Sequence, residues 1–100
     1  MKLKDFLGKV VIGKDSKKRY VLTKIDGVFI SAREEAPNKL GTYTSFRWAT
    51  GTTPGSNAIT NGTLVFEDTA LKDTFTKVYE EYFNTDGRHD QYFYYMAKCD

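Results

Sequence analysis

Alternation of apolar and polar side chains is clearest between Lys18 and Arg33, KRYVLTKIDGVFISAR. Two period-two runs flank Asp26-Gly27. Asp-Gly is a strong hairpin signal, because a type I′ turn needs positive φ at both central residues, which Gly takes freely and Asp tolerates. A two-residue loop sets the register: Ile25 faces Val28, Lys24 faces Phe29, Thr23 faces Ile30, Leu22 faces Ser31 and Val21 faces Ala32. Side chains alternate across a strand. The predicted core face is therefore Val21, Thr23, Ile25, Val28, Ile30 and Ala32. The mixed outer face carries Tyr20, Leu22, Lys24, Phe29, Ser31 and Arg33. A lone hairpin is marginal in water, so further strands or a helix must cover it.

The rest of the chain supplies both. Leu3, Phe6 and Leu7 fall at i, i+3 and i+4 and predict one or two helical turns, ended by Gly8. Lys9 to Ile12 reads as a short strand through its β-branched Val10, Val11 and Ile12, and Gly13 to Lys17 as a polar turn. Glu34 to Gly41 reads as a loop through its Pro, Asn and Gly. Thr42 to Thr50 predicts a strand with Thr44, Phe46 and Trp48 on one side and Arg47 on the other; the aromatic pair is expected to face the core. Gly51 to Gly62 reads as a surface loop ending in the Asn61-Gly62 turn signal. Thr63 to Glu67 is a further strand.

Asp68 or Thr69 is the expected N-cap of a helix over residues 69–84. Its apolar residues, Leu71, Phe75, Val78, Tyr79, Tyr82 and Phe83, share one stripe, and Lys72, Asp73, Lys77, Glu80 and Glu81 take the other face. Asp86-Gly87 supplies the stop. Gln91 to Lys98, with its run of aromatics, reads as a returning strand or a second short helix.

These elements predict an α+β class: an antiparallel sheet of about 4–6 strands with one amphipathic helix packed on one face. The Gly8-Lys9-Val10 start, polar turn, long hairpin and short strands of residues 8–50 also resemble small SH3-like barrels. The resemblance is one of pattern and implies a barrel-like N-terminal half.

Composition agrees with a folded domain. One hundred residues, 40% hydrophobic, 28% charged and 15% aromatic, suit a single globular unit spanning residues 1–100. One cysteine, Cys99, excludes an internal disulfide and makes the cytoplasm the default compartment. No apolar run reaches the ~20 residues of a membrane span, and the N-terminus lacks a signal-peptide pattern. No membrane partner is expected. The net charge of +2 conceals a split: residues 1–50 carry a net +6 and residues 51–100 a net −4. Such a split can mark a basic contact surface.

Catalytic chemistry is thinly supplied. The single histidine, His89, lies in Asp86-Gly87-Arg88-His89-Asp90, and a metal site needs three or four ligands that no Cys/His spacing here provides. Cys99 has no evident base. Gly51-Thr52-Thr53-Pro54-Gly55-Ser56 lacks the lysine and following helix of a phosphate loop. Asn61-Gly62-Thr63 fits the N-glycosylation pattern, which carries no weight without an export signal. No catalytic residue, cofactor or metal is assigned. An enzyme, third in rank, would use Asp86, His89 and Asp90 beside Arg47 as the densest polar cluster.

Two binding functions are left. The first is a non-enzymatic protein-interaction module or inhibitor, its partner another protein or a second copy. It rests on the surplus of aromatics, among them Tyr43, Tyr92, Tyr94 and Tyr95, and on Leu22 and Phe29 as contacts of an uncovered sheet face. The second is nucleic-acid binding. Lys14, Lys17, Lys18 and Arg19 form a basic turn leading into Tyr20, and Lys24, Arg33 and Arg47 join Phe29 on the outer face. Single strands are held in this way, with phosphates on cations and bases on rings. Glu34 and Glu35 beside Arg33 count against it, as does a pI of 8.6.

Overall fold

The computed structural model describes residues 2–25, 29–50, 56–84 and 95–96. A 3-10 helix, Leu3–Phe6, leads into β1 (Val10–Gly13), β2 (Arg19–Ile25), β3 (Phe29–Glu34), β4 (Ser45–Ala49), β5 (Leu64–Phe66), helix α1 (Leu71–Asn84) and β6 (Tyr95–Met96). The strands pair antiparallel in the order β4-β3-β2-β1-β5. Strand β2 is long enough to share one edge between two neighbours: β1 pairs with Arg19 to Val21, and β6 with Lys24 and Ile25. Among the described residues β4 and β5 are the two ends of the sheet's path, and no pairing joins them into a barrel.

This is the α+β architecture that the pattern predicts. The hairpin register differs. Tyr20 pairs with Glu34, Val21 with Arg33, Leu22 with Ala32, Lys24 with Ser31 and Ile25 with Ile30, and the register shifts between Leu22 and Lys24. Thr23 is the extra residue of a β-bulge. A one-residue slip sends every side chain to the opposite face. Ile25, Ile30 and Ala32 therefore stay inside as predicted, whereas Tyr20 and Leu22 turn inward and Val21 turns outward with Arg33. The Asp26-Gly27 turn and Val28 lie outside the described residues.

The core gathers on one face of the sheet. Val11, Leu22, Ile25, Ile30, Leu64 and Phe66 are fully or almost fully buried there, with Phe6 from the 3-10 helix and Phe75 and Tyr79 from α1. Phe6 meets Phe75 edge-on at 5.1 Å between ring centres, and Phe66 lies 5.7 Å from each. Phe75 stacks on Tyr79 at 5.6 Å. Each buried ring contributes roughly 1.5–3 kcal/mol of apolar burial. Phe75 and Tyr79 lie on the stripe read from the sequence, and Leu71 and Val78 pack beside them half-buried. The helix sits against β5 and the 3-10 helix, and the 3-10 helix in turn covers β2. It begins at Leu71, so Asp68 lies in the preceding turn, where its carboxylate accepts the Ala70 N–H at 3.2 Å.

One expected surface loop is partly core. Asn57, Ala58 and Ile59 are buried. The Asn57 side-chain oxygen accepts the N–H groups of Ile59 and Thr60, both at 2.9 Å. This Asx turn satisfies backbone donors that burial would otherwise strand. It is what lets a polar stretch carry Ile59 into the interior. Residues 51–55 lie outside the described residues, as does most of the 91–98 tail, where Tyr95–Met96 forms the short strand β6.

Candidate interaction face

Alternation along β2, β3 and β4 sets the outer sheet face. Lys24, Ser31 and Arg47 lie side by side across three strands, and Val21, Arg33 and Ser45 form the parallel row. Phe29 lies opposite Ala49. The cations lean on rings. The Lys24 ammonium is 4.7 Å and the Arg47 guanidinium 4.9 Å from the Phe29 ring centre, and the Arg33 guanidinium is 4.0 Å from that of Tyr43. Arg33 also donates to the carbonyls of Glu34 at 3.1 Å and Glu35 at 3.4 Å. Each such cation–ring contact is worth about 0.5–1 kcal/mol at an exposed site. Such contacts favour the rotamers that lay the cations over the rings. Toward β5 the same face turns aliphatic, with Val10 opposite Val21 and Val65 opposite Ile12.

The basic turn has a different fate. Lys17 takes a left-handed backbone at φ 62°, and the turn closes through the Gly13 N–H to the Lys18 carbonyl at 2.9 Å. Lys18 lies 3.5 Å from Glu34. Arg19 is held by two carboxylates: Nε and Nη2 donate to Glu35 at 2.7 and 3.2 Å, and Nη1 donates to Glu67 at 2.6 Å. Those bonds, to Glu35 above all, push the Arg19 guanidinium further up its already basic range. The Arg19 hydrogen bond is also the main cause holding the Glu35 carboxyl below its ordinary value. A shallow depression of about 340 Å³ is lined by Lys17, Lys18, Arg19, Glu34, Glu35 and Ala36, with both signs of charge in its wall. Among the described residues, no carboxylate lies within ion-pair distance of Lys14, Lys17, Arg33 or Arg47.

The predicted surface thus divides. Lys24, Phe29, Arg33 and Arg47 come together on one face. Lys17, Lys18 and Arg19 lie in and beside the β1–β2 turn, with Lys18 and Arg19 spent on acids. Tyr20 and Leu22 are corrections: they are 6% and 0% exposed, because the Thr23 bulge reverses the face on which they were expected. Tyr20 meets Phe46 and Trp48 edge-on, each at 5.5 Å. Phe46 and Trp48 take the inner side, as predicted, yet Phe46 remains 37% exposed, since among the described residues β4 lies at one end of the sheet.

Leu40 carried no signal in the sequence. It is 87% exposed, on a turn built by Asn38, whose side-chain oxygen accepts the N–H groups of Leu40 at 2.9 Å and Thr42 at 3.1 Å. Asp86, His89, Asp90, Tyr92, Tyr94 and Cys99 lie outside the described residues. Among the described residues no group of three or more His, Cys, Asp or Glu could hold a metal ion, and no helix is long and apolar enough to cross a membrane. No family model, curated protein or solved structure matches the chain.

Proposed function

We propose that this chain is a non-enzymatic protein-interaction module whose contact surface is the outer sheet face of Lys24, Phe29, Arg33, Tyr43 and Arg47, and whose partner presents an acidic surface. The observation that carries the reading is the set of three cations resting on two rings. Arg and Tyr are favoured at the centres of interfaces, and side chains already ordered lose less entropy on binding. A homodimer through this face is disfavoured, because Leu22 is buried and Lys24, Arg33 and Arg47 would meet their own copies.

Nucleic acid is the second reading, supported by the same cations and by Lys14 and Lys17. A phosphodiester chain needs a continuous track of cations. Here Glu34, Glu35 and Glu67 line the route at Lys18 and Arg19, which favours the protein partner.

The test is affinity capture from extract of the cell that makes the protein, run with and without nuclease treatment. It compares wild type, Arg33→Glu/Arg47→Glu and Lys14→Glu/Lys17→Glu. The expected result is a protein partner retained by wild type and by the turn variant and lost by the face variant. A nuclease-sensitive ligand lost with the turn variant transfers the assignment to nucleic acid. A partner indifferent to Arg33 and Arg47 overturns the face.

A further inference from the structure

Among the described residues strand β4 ends the sheet, and the side it turns away from β3 can be read from the ladder. The Glu34 N–H donates to the Thr44 carbonyl at 2.8 Å. The same register pairs Arg33 with Ser45, Ala32 with Phe46, Ser31 with Arg47 and Ile30 with Trp48. Hydrogen-bonded and non-bonded pairs alternate in an antiparallel ladder. Phe46 and Trp48 therefore bond inward to β3, and the N–H and C=O groups of Ser45, Arg47 and Ala49 point away from the sheet.

An open edge is ordinarily blunted by lysine, proline, a bulge or brevity. β4 has no lysine or proline and carries a single charge, Arg47, and its register with β3 is unbroken over five residues. Three of the four large exposed hydrophobics among the described residues, Leu40, Tyr43 and Phe46, lie on or just before it. The opposite edge, β5, is only three residues long.

We propose that β4 receives an extended peptide segment of a partner as an added strand, and that this segment alternates acidic and apolar residues. The inference rests on the acidic-partner reading above and specifies how that partner docks. Alternation in the added strand follows that of β4. One set of its side chains falls on the outer side beside Arg47, with Arg33 one strand further in, where carboxylates complement two guanidinium groups that have no carboxylate within ion-pair distance among the described residues. The other set falls on the inner side beside Phe46 and Trp48, where apolar groups cover the Phe46 ring, 37% exposed, and the half-buried Trp48. A second copy of β4 fits poorly, since two-fold pairing brings the two Arg47 side chains opposite or diagonal to one another.

The probe is a capped eight-residue peptide of alternating valine and glutamate, titrated into the wild-type protein. Trp48, the single tryptophan, reports by fluorescence. Two further peptides carry N-methyl groups on the glutamates only or on the valines only. Because every change is on the peptide, folding of the protein is not at stake. The expected result is a saturable change in Trp48 emission, with affinity lowered at least tenfold by one methylation set and little by the other, since only one set of N–H groups faces β4. Arg47→Glu is expected to weaken the parent peptide by a similar factor.

Equal affinity of the two methylated peptides overturns strand addition. If that binding still depends on Arg33 and Arg47, the outer-face reading stands without it. No binding of the parent peptide overturns the inference alone, because the face reading is judged on capture of its own partner. A peptide-free protein that sediments as a dimer dissociated by Ser45→Pro overturns it in favour of a second copy on the edge.

Discussion

Leu22 lies directly opposite Ala32, and neither side chain is exposed to solvent. Two residues further along, Lys24 lies opposite Ser31, on the outer face. The extra residue between them, Thr23, is what allows both Leu22 and Ile25 to point inward although three positions separate them. Without a bulge, residues three apart in a strand fall on opposite faces. The bulge thus joins two requirements: a continuous core row through Tyr20, Leu22 and Ile25, and a basic outer row through Lys24 and Arg47.

Substitution across this strand should expose the inversion. Leu22→Ala is expected to cost about 2–5 kcal/mol, in the range for a fully buried leucine. Val21→Ala, on the half-buried outer side, should cost about 1 kcal/mol. Urea unfolding of the two variants checks it. A larger loss for Val21 than for Leu22 restores the regular two-residue hairpin register.

The elements were legible because periodicity reports burial over many residues at once. The stripe of Leu71, Phe75, Val78 and Tyr79 marked the helix, and the β-branched run of Val10 to Ile12 marked β1. The hairpin register was not legible, because the residues that fix it, the turn length and one bulge, change the period locally while leaving the composition intact. The outer-face cluster was half legible for the same reason. Lys24, Phe29, Arg33 and Arg47 lie on the side of the bulge, or on the strands, where the simple alternation still held. Tyr20 and Leu22 lie beyond it. The burial of Ile59 was hidden by its neighbours, a Gly, Ser, Thr and Asn stretch that looks like exposed loop until the Asn57 side chain is seen to cap it.

Asn57 is expected to be a stability determinant despite its polar type. Asn57→Ala removes the acceptor shared by the Ile59 and Thr60 N–H groups in a buried setting. Leaving such donors unsatisfied costs about 1–3 kcal/mol. The variant should unfold at lower urea concentration. Amide exchange at Ile59 should accelerate more than at Leu22, since the turn opens before the sheet does. Unchanged stability removes the Asx turn from the account of how this segment is buried.

Binding and stability should separate at Phe29. Its ring is half-buried and carries Lys24 and Arg47 rather than the core. Phe29→Ala is expected to cost about 1 kcal/mol or a little more in folding while reducing capture of the partner at least tenfold. Phe75→Ala, in the core, should instead cost about 3–5 kcal/mol. Thermal unfolding and capture measured on the same two proteins check the separation. A Phe29 variant that binds as wild type removes this ring from the contact surface.

Acid should loosen the Arg19 cluster in a defined direction. Hydrogen bonding from Arg19 lowers the Glu35 carboxyl below its ordinary value of about 4.5. A group whose folded value is depressed adds stability above its unfolded value and loses it as pH falls through the folded one. The Glu35 contribution is therefore complete near neutral pH and fades below about pH 4.5, as the carboxylate takes up its proton and releases Arg19. Both side chains are exposed, so the effect on the whole domain is small, and a local probe is the better readout. The Glu35 carboxyl carbon, followed by NMR against pH, should titrate below its position in an Arg19→Gln variant. Coincident curves in the two proteins separate the Arg19–Glu35 bond from any role in the acid response of the β2–β3 edge.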